Sequence, residues 1–204
     1  MATMPQAMDA LAALTTRASA RELTAPAPDD AALAKMLAAA VAAPDHGRLR
    51  PWRFIAVRGE ALRRLGEVMA AALKAREPGA PEALLAKERE KPLRAPLVLV
   101  AAAKILPNHK IPVIEQTIAV GAAVQNLIVA AHALGWGTMW KTGAPAYDAR
   151  VKRALGLDAA DAIIGFLYLG TPVGEVMAGS RPAPESFLVE WRGPVEEPGV
   201  VQLA

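Results

Sequence analysis

From Gln116 to Trp140 the chain carries no Lys, Arg, Asp or Glu. A run of that length is either wrapped in protein or laid in lipid, because about 18 or more uncharged apolar residues in a row suffice to cross a bilayer. Its own residues favour the first. Gln125, Asn126 and His132 are polar, Ala and Gly make up much of the rest and drive insertion weakly, and Gly135 and Gly137 break the helix. The apolar helix proper is therefore expected near Ile118–Leu134, as a buried central helix. A membrane-associated helical protein is the alternative, and it rests on this segment alone.

The composition agrees with a helical core. The 204 residues are 53% hydrophobic but only 4% aromatic, with a mean hydropathy of +0.24. Much of the excess is alanine, the strongest helix former. Alanine buries little area per residue, so a core poor in rings calls for close helix packing or burial against a second chain. The apolar content excludes a disordered tail, and the absence of Cys excludes a disulfide scaffold. A net charge of +3 is spread thinly, with a loose basic cluster only at Lys87–Arg94. A solvated helix face explains that cluster better than nucleic-acid binding. Zero Cys fits a reducing compartment, so a cytoplasmic location is expected. The first basic residue is Arg17 and Asp9 interrupts the opening apolar stretch, which does not match a leader peptide.

Pro and Gly punctuate the chain into elements. A short helix is predicted over Met8–Thr16, an extended piece over Arg17–Glu22, and a helix over Asp30–Ala42 capped by Asp29, with Leu33, Met36, Leu37, Ala40 and Val41 on one face. Pro44 ends it. A polar loop, Asp45–Arg50, leads to a strand at Pro51–Val57. Helices follow at Glu60–Arg76 and Glu82–Lys91, then a buried strand at Pro96–Ala102. After the long helix come a strand at Trp136–Trp140, a helix at Tyr147–Leu155 stopped by Gly156, and an apolar strand at Ala162–Leu169. Four strands among longer helices imply an α+β fold on one central sheet, as one domain over residues 1–204. The tail, from about residue 173, is rich in Pro and Gly and needs a surface to lie on, its own or a partner's.

Elimination narrows the chemistry. There is no Cys nucleophile. None of Ser19, Ser180 and Ser186 sits in a nucleophile elbow. His46, His109 and His132 are too scattered for a metal motif, so no metal site is expected. No phosphate-binding glycine loop is present, and Gly135-Trp136-Gly137 lacks a third glycine. An enzyme built from this inventory leaves its reactive atoms to a cofactor. Three segments offer places for one. Arg17, Ser19 and Arg21 alternate, which in an extended chain aims two guanidinium groups and a hydroxyl one way, as a phosphate requires; two solvated arginines are the plain alternative. Pro44–Trp52 is a dense polar loop in which His46 and Arg50 offer donors; an ordinary helix-to-strand connection is the alternative. Trp140-Lys141-Thr142-Gly143 ends a strand, where sheets present ligand groups; a snorkelling Lys at a strand end is the alternative.

Together these segments resemble one family. Arg17-Ala18-Ser19-Ala20-Arg21 after a short helix resembles its flavin-phosphate motif. Ala43-Pro44-Asp45-His46 with Arg50-Pro51-Trp52 resembles its Ala-Pro to Pro-Trp segment. Gly135–Gly143 and Ile164–Pro172 are similar to its two late strands. The family is the nitroreductase-like FMN flavoproteins, in particular their compact NAD(P)H nitroreductases, and the likeness runs in order through nearly the whole chain.

The resemblance implies a three-layer α+β fold: a central, mostly antiparallel sheet surrounded by helices, in an intertwined homodimer with FMN at the interface. Arg17, Ala18, Ser19 and Arg21 would hold the phosphate and ribityl chain in one subunit. His46 and Arg50 would reach the flavin from the other, and Trp140, Lys141 and Thr142 would flank the isoalloxazine ring. The long helix would lie at the interface, with Gly121, Ala122 and Ala123 allowing close approach, and the tail would cross to the partner. Ala18 stands where the pattern often has a second Arg. Arg50 replaces a usual Asn or Gln, which would raise the flavin potential or turn to the phosphate. Arg181 is a further phosphate candidate.

The implied activity is FMN-dependent oxidoreduction: hydride from NAD(P)H, then reduction of a nitroaromatic, quinone or similar acceptor, by a ping-pong mechanism. No protein acid or base is obligatory in the first half, so no catalytic residue is nominated. Dehalogenation or flavin fragmentation on the same cofactor is one alternative, and a non-catalytic flavin-binding sensor dimer is another. No nucleic-acid or membrane partner is expected.

Overall fold

The structure is a computed structural model that describes residues 8–191 and Gly193. Residues 1–7, on which the expectation about a leader peptide falls, and the end of the tail, Arg192 and 194–204, lie outside the described residues. In chain order the elements are α1 (Ala10–Thr16), β1 (Leu23–Thr24), α2 (Asp30–Val41), β2 (Trp52–Arg58), α3 (Glu60–Arg76), α4 (Glu82–Glu90), β3 (Leu97–Ala103), α5 (Val113–Ala133), β4 (Gly137–Lys141), α6 (Ala144–Tyr147), α7 (Ala149–Ala154) and β5 (Ala162–Pro172). Caps set two of the starts. The Asp9 carboxylate accepts from the N–H of Leu11 and Ala12, and Asp29 accepts from that of Ala32 at 2.7 Å. Each such cap contributes about 1 kcal/mol.

The strands form one five-stranded sheet in the order β1-β5-β3-β2, with β4 also on β5, and every pairing is antiparallel. All seven residues of β3 are buried, because helices cover both faces. The period-two alternation of a strand sorts them. Val98, Val100 and Ala102 join Phe166 and Tyr168 under Leu62, Leu65 and Met69 of α3 and Val151 of α7. Leu97, Leu99 and Ala101 join Leu167 and Leu169 under Met36 of α2 and Val124 and Leu127 of α5. The result is the three-layer arrangement that the resemblance implied. Fully burying one such aliphatic side chain stabilises by roughly 1.5–3 kcal/mol.

Four expectations need correction. The sheet has a fifth strand, β1, whose two residues pair with Thr171 and Pro172 because β5 runs on past Leu169. Two residues show no periodicity, so only the neighbour's edge reveals the strand. The helix expected over Tyr147–Leu155 is split. Asp148 accepts from the Arg150 N–H at 2.8 Å and from Arg76 Nη1 at 2.6 Å, and a residue that caps α7 cannot also continue α6. Burial alone pushes the Asp148 carboxyl up, but the Arg76 guanidinium and the Arg150 N–H hold it below its ordinary range. Val41 points outward and is 49% exposed. Ala123 is fully buried within its own subunit, so it offers nothing to a partner helix.

α5 begins earlier than expected and has 21 residues, long and apolar enough by composition to cross a membrane. In the fold one stripe of it, Val120, Ala123, Val124, Leu127 and Ala131, has no exposure and belongs to the core. Its outer side keeps apolar groups in the open. Ile114 and Ile118 are each 61% exposed, and a groove of about 430 Å³ between α1, α2 and α5 is lined by Leu14, Ala39, Ala42, Val129 and Ala133.

Candidate functional site

At the C-terminal end of α5 lies the Arg17–Arg21 segment. α1 stops at Thr16 and the chain continues extended. The Ala20 N–H donates to the Thr138 carbonyl at 2.9 Å, which fastens the segment to β4. Ala20 is buried, and Arg17, Ser19 and Arg21 are half-buried or exposed, as the alternation predicts. Arg181 folds back onto the same place, its Nη2 donating to the Arg17 carbonyl at 2.8 Å. Among the described residues, none of these three arginines is within an ion pair. Two shallow clefts flank the segment. One of about 330 Å³ is lined by Ser19, Arg21, Glu22, Glu175 and Met177. One of about 290 Å³ is lined by Ala18, His132, Trp136, Gly137 and Pro172. Forked guanidinium donors beside a hydroxyl, with no described carboxylate paired to them, fit a phosphate monoester. His132 closes the corner, its Nε2 2.9 Å from the Thr16 hydroxyl. Burial, and after it the Arg17 charge, hold this imidazole below its ordinary range.

β4 carries the next residues. Thr138 adjoins Ala20, and Lys141 lies three residues further along, about 10 Å away at the usual strand rise. The Trp140 Nε1 donates to the Ile164 carbonyl at 3.1 Å. Its indole lies on Gly165, where a Cβ would stand 2.0 Å from that nitrogen, so only glycine admits the ring. Lys141 and Thr142 are exposed. Arg17–Arg21, joined to Thr138 through Ala20, and the stretch on to Thr142 thus lie by β4 at an edge of the sheet.

The other predicted residues lie at the opposite end of α5. The loop after α2 turns sharply, with Gly47 at φ +70° and, less commonly for side-chain-bearing residues, Arg48 at +56° and Arg50 at +50°. Several contacts impose this shape. The Asp45 carboxylate accepts from the Arg50 N–H at 2.6 Å. Gly47 sits so close to the buried Ile111 that a Cβ would fall 2.3 Å from its Cδ1. Ile111 is itself fixed, because its carbonyl accepts from Gln116 Nε2 at 2.9 Å and Gln116 also bonds both backbone groups of Leu106. His46 projects from this turn with its Nδ1 2.5 Å from Glu115 Oε2 in the first turn of α5. Arg50 is exposed beside it.

The structure therefore gathers Arg17, Ala18, Ser19 and Arg21, with Arg181, at one end of α5, places Trp140, Lys141 and Thr142 along β4, and holds His46 and Arg50 at the far end. Glu115 and His132, the contact points of the two ends, are about 25 Å apart along a helix that rises 1.5 Å per residue. No side chain bridges that distance. Sequence reasoning missed Glu115 and His132 as neighbours of the predicted groups. Glu115 had a signal: it is the only carboxylate between Glu90 and Asp148.

Comparison with known proteins shows the family. Residues 14–171 match the model of the Nitroreductase family. The chain is 41% identical over 165 residues to the Escherichia coli (strain K12) protein named "Putative NAD(P)H nitroreductase YdjA", covering 81% of this chain and 89% of that one. It is 38% identical to a Haemophilus influenzae protein named "Putative NAD(P)H nitroreductase", covering 80% and 89% respectively. A crystal structure from Desulfovibrio desulfuricans, described as a "putative nitroreductase in complex with fmn", superposes with a TM-score of 0.69 at 25% identity over 93% of this chain and 100% of that one.

Proposed function

The chain belongs to the nitroreductase family, and on that premise we propose that it is an FMN-dependent NAD(P)H oxidoreductase working as a homodimer with two shared flavin sites. The observation that carries this reading is the group of Arg17, Arg21 and Arg181 guanidiniums, without an ion pair among the described residues, with the Ser19 hydroxyl, on a segment fastened through Ala20 to Thr138, from which Lys141 lies about 10 Å further along β4. Phosphate at one point and an aromatic, cationic strand end further along suit an elongated flavin nucleotide.

In the proposal Arg17, Ser19 and Arg21 bind the phosphate and the Ala18 segment lies along the ribityl chain. Trp140, Lys141 and Thr142 flank the ring, and Lys141 favours negative charge there. Bound FMN supplies hydride exchange, from NAD(P)H to a nitroaromatic, quinone or similar acceptor in a ping-pong sequence. The protein's own part is to orient, exclude water and tune charge. His46 and Arg50 are too far from Arg17 in the same subunit, and a two-fold axis supplies them from the partner. The apolar groove of α1, α2 and α5 with Ile114 and Ile118 gives such a dimer its contact surface. So does the tail from about residue 173, where Phe187, Leu188, Val189 and Trp191 are each at least 74% exposed and would cross onto the second subunit of this 1–204 domain. The lack of Cys suits a reducing compartment such as the cytoplasm.

Anaerobic reduction tests the proposal. Purified protein is expected to be yellow, to bleach with NADH or NADPH, and to regain colour when a nitroaromatic or quinone is added. Bleaching without transfer to any acceptor would leave a flavin-binding sensor. Colourless protein that binds no added FMN refutes the flavin site altogether.

A further inference from the structure

The loop that carries His46 is restrained at its backbone by Asp45, Ile111 and Gln116. Glu115 does something different: it holds a side chain. Its Oε2 meets His46 Nδ1 at 2.5 Å, although the two side chains are 41% and 65% exposed. Exposed ion pairs contribute about 0–1 kcal/mol to stability, so holding the fold together is a weak reason for this contact. Its geometry has a stronger one. A carboxylate only accepts, so Nδ1 must donate the proton, and Nε2, which has no partner among the described residues, becomes the nitrogen presented outward. The ring is then fixed in one tautomer and one direction. The chain offers no other carboxylate between Glu90 and Asp148 to do this, and a position in the first turn of α5 suits an anion.

We propose that Glu115 is a positioning residue for the flavin site: by holding His46 Nδ1 it aims His46 Nε2 across the subunit interface at the partner's bound FMN. The proposal rests on the flavin reading and adds to it a residue that touches no cofactor. Glu115 acts only through His46, so its removal weakens FMN binding while leaving the fold intact.

The test compares Glu115→Ala, Glu115→Gln, His46→Ala and the Glu115→Ala/His46→Ala double variant with the parent. Two quantities are read: the FMN dissociation constant, by fluorescence of FMN added to the apoprotein, and the His46 tautomer, by ¹⁵N NMR of the apoprotein. Glu115→Ala is expected to weaken FMN binding about tenfold, the loss of one hydrogen bond to a charged group, and to release His46 into mixed tautomers. Glu115→Gln, whose amide oxygen still accepts from Nδ1, should recover most of the affinity and the single tautomer. In the His46→Ala background Glu115→Ala should change nothing further. Unchanged affinity in Glu115→Ala, or an equal loss with and without His46, overturns the positioning role while the flavin reading stands. If the parent itself binds no FMN, the flavin reading falls and the proposal falls with it.

Discussion

The two halves of the candidate site are built in opposite ways. The half at Arg17–Arg21 and β4 rests on the sheet: the Ala20–Thr138 hydrogen bond and the β1–β5 pairing fix its backbone, and the guanidinium groups extend from it. The half at Asp45–Arg50 has no sheet beneath it. It is a left-handed turn kept in shape by the Asp45 carboxylate, the Ile111 side chain and Gln116, with Glu115 holding the His46 side chain. A sheet-borne site can tolerate the loss of one side chain without moving the others. A turn held by individual contacts concentrates its strain where a ligand is met. The difference teaches that affinity should come mainly from the first half and orientation from the second.

The largest expected effect breaks the pair outright. If Arg17 binds the phosphate as proposed, Arg17→Ala should weaken FMN binding roughly tenfold to hundredfold, as measured on the apoprotein. An isolated mixed dimer, one chain carrying Arg17→Ala and the other His46→Ala, should keep one intact site. A mixed dimer with no functional site contradicts the sharing of halves between subunits. Next is Gly165→Ala on the sheet-borne side. The added methyl must displace the Trp140 indole and its bond to Ile164, at a cost of about 1–3 kcal/mol, visible as a lowered denaturation midpoint and a changed tryptophan emission. Gly47→Ala on the loop side should cost somewhat less, about 1–2 kcal/mol for the left-handed backbone, since the end of Ile111 can shift. If it leaves FMN affinity untouched, the turn is not what orients His46.

The smallest effect is a pH dependence confined to the sheet-borne end. His132 titrates below its ordinary value of 6.5 in the folded chain, through burial and then Arg17. Below 6.5 the unfolded chain takes up the proton first, so stability should fall with pH from there down to the lowered folded value, and be unaffected above 6.5. Denaturant midpoints of the parent and His132→Gln, compared between about pH 8 and pH 5, should differ in slope only on the acid side. An equal acid response in both would remove His132 from the account.

Much of this was legible in the residues. α3 stands at Glu60–Arg76 as its amphipathic period predicted, and the continuous apolar run expected as a buried strand at Pro96–Ala102 stands as β3 at Leu97–Ala103, because amphipathic period and apolar runs are written directly in side-chain polarity. Arg17, Ser19 and Arg21 face outward for the same reason. What escaped was whatever depends on a distant neighbour. β1 is a strand only because β5 runs beside it, and Asp148 breaks a helix only because Arg76 and the Arg150 N–H meet it there. Ala123 reads as a small residue for a subunit interface until the core of its own subunit encloses it. Glu115 reads as a lone acid at a helix start until the turn after α2 brings His46 to it.

By itself the sequence determined most of the elements, the central helix and the chemistry on offer, since local periodicity and residue type fix which faces are apolar and which groups are cationic. Only the tertiary structure decided that the predicted ligand groups divide between the two ends of α5. Contact across 69 residues, as between His46 and Glu115, is set by how elements pack, and no local pattern encodes it.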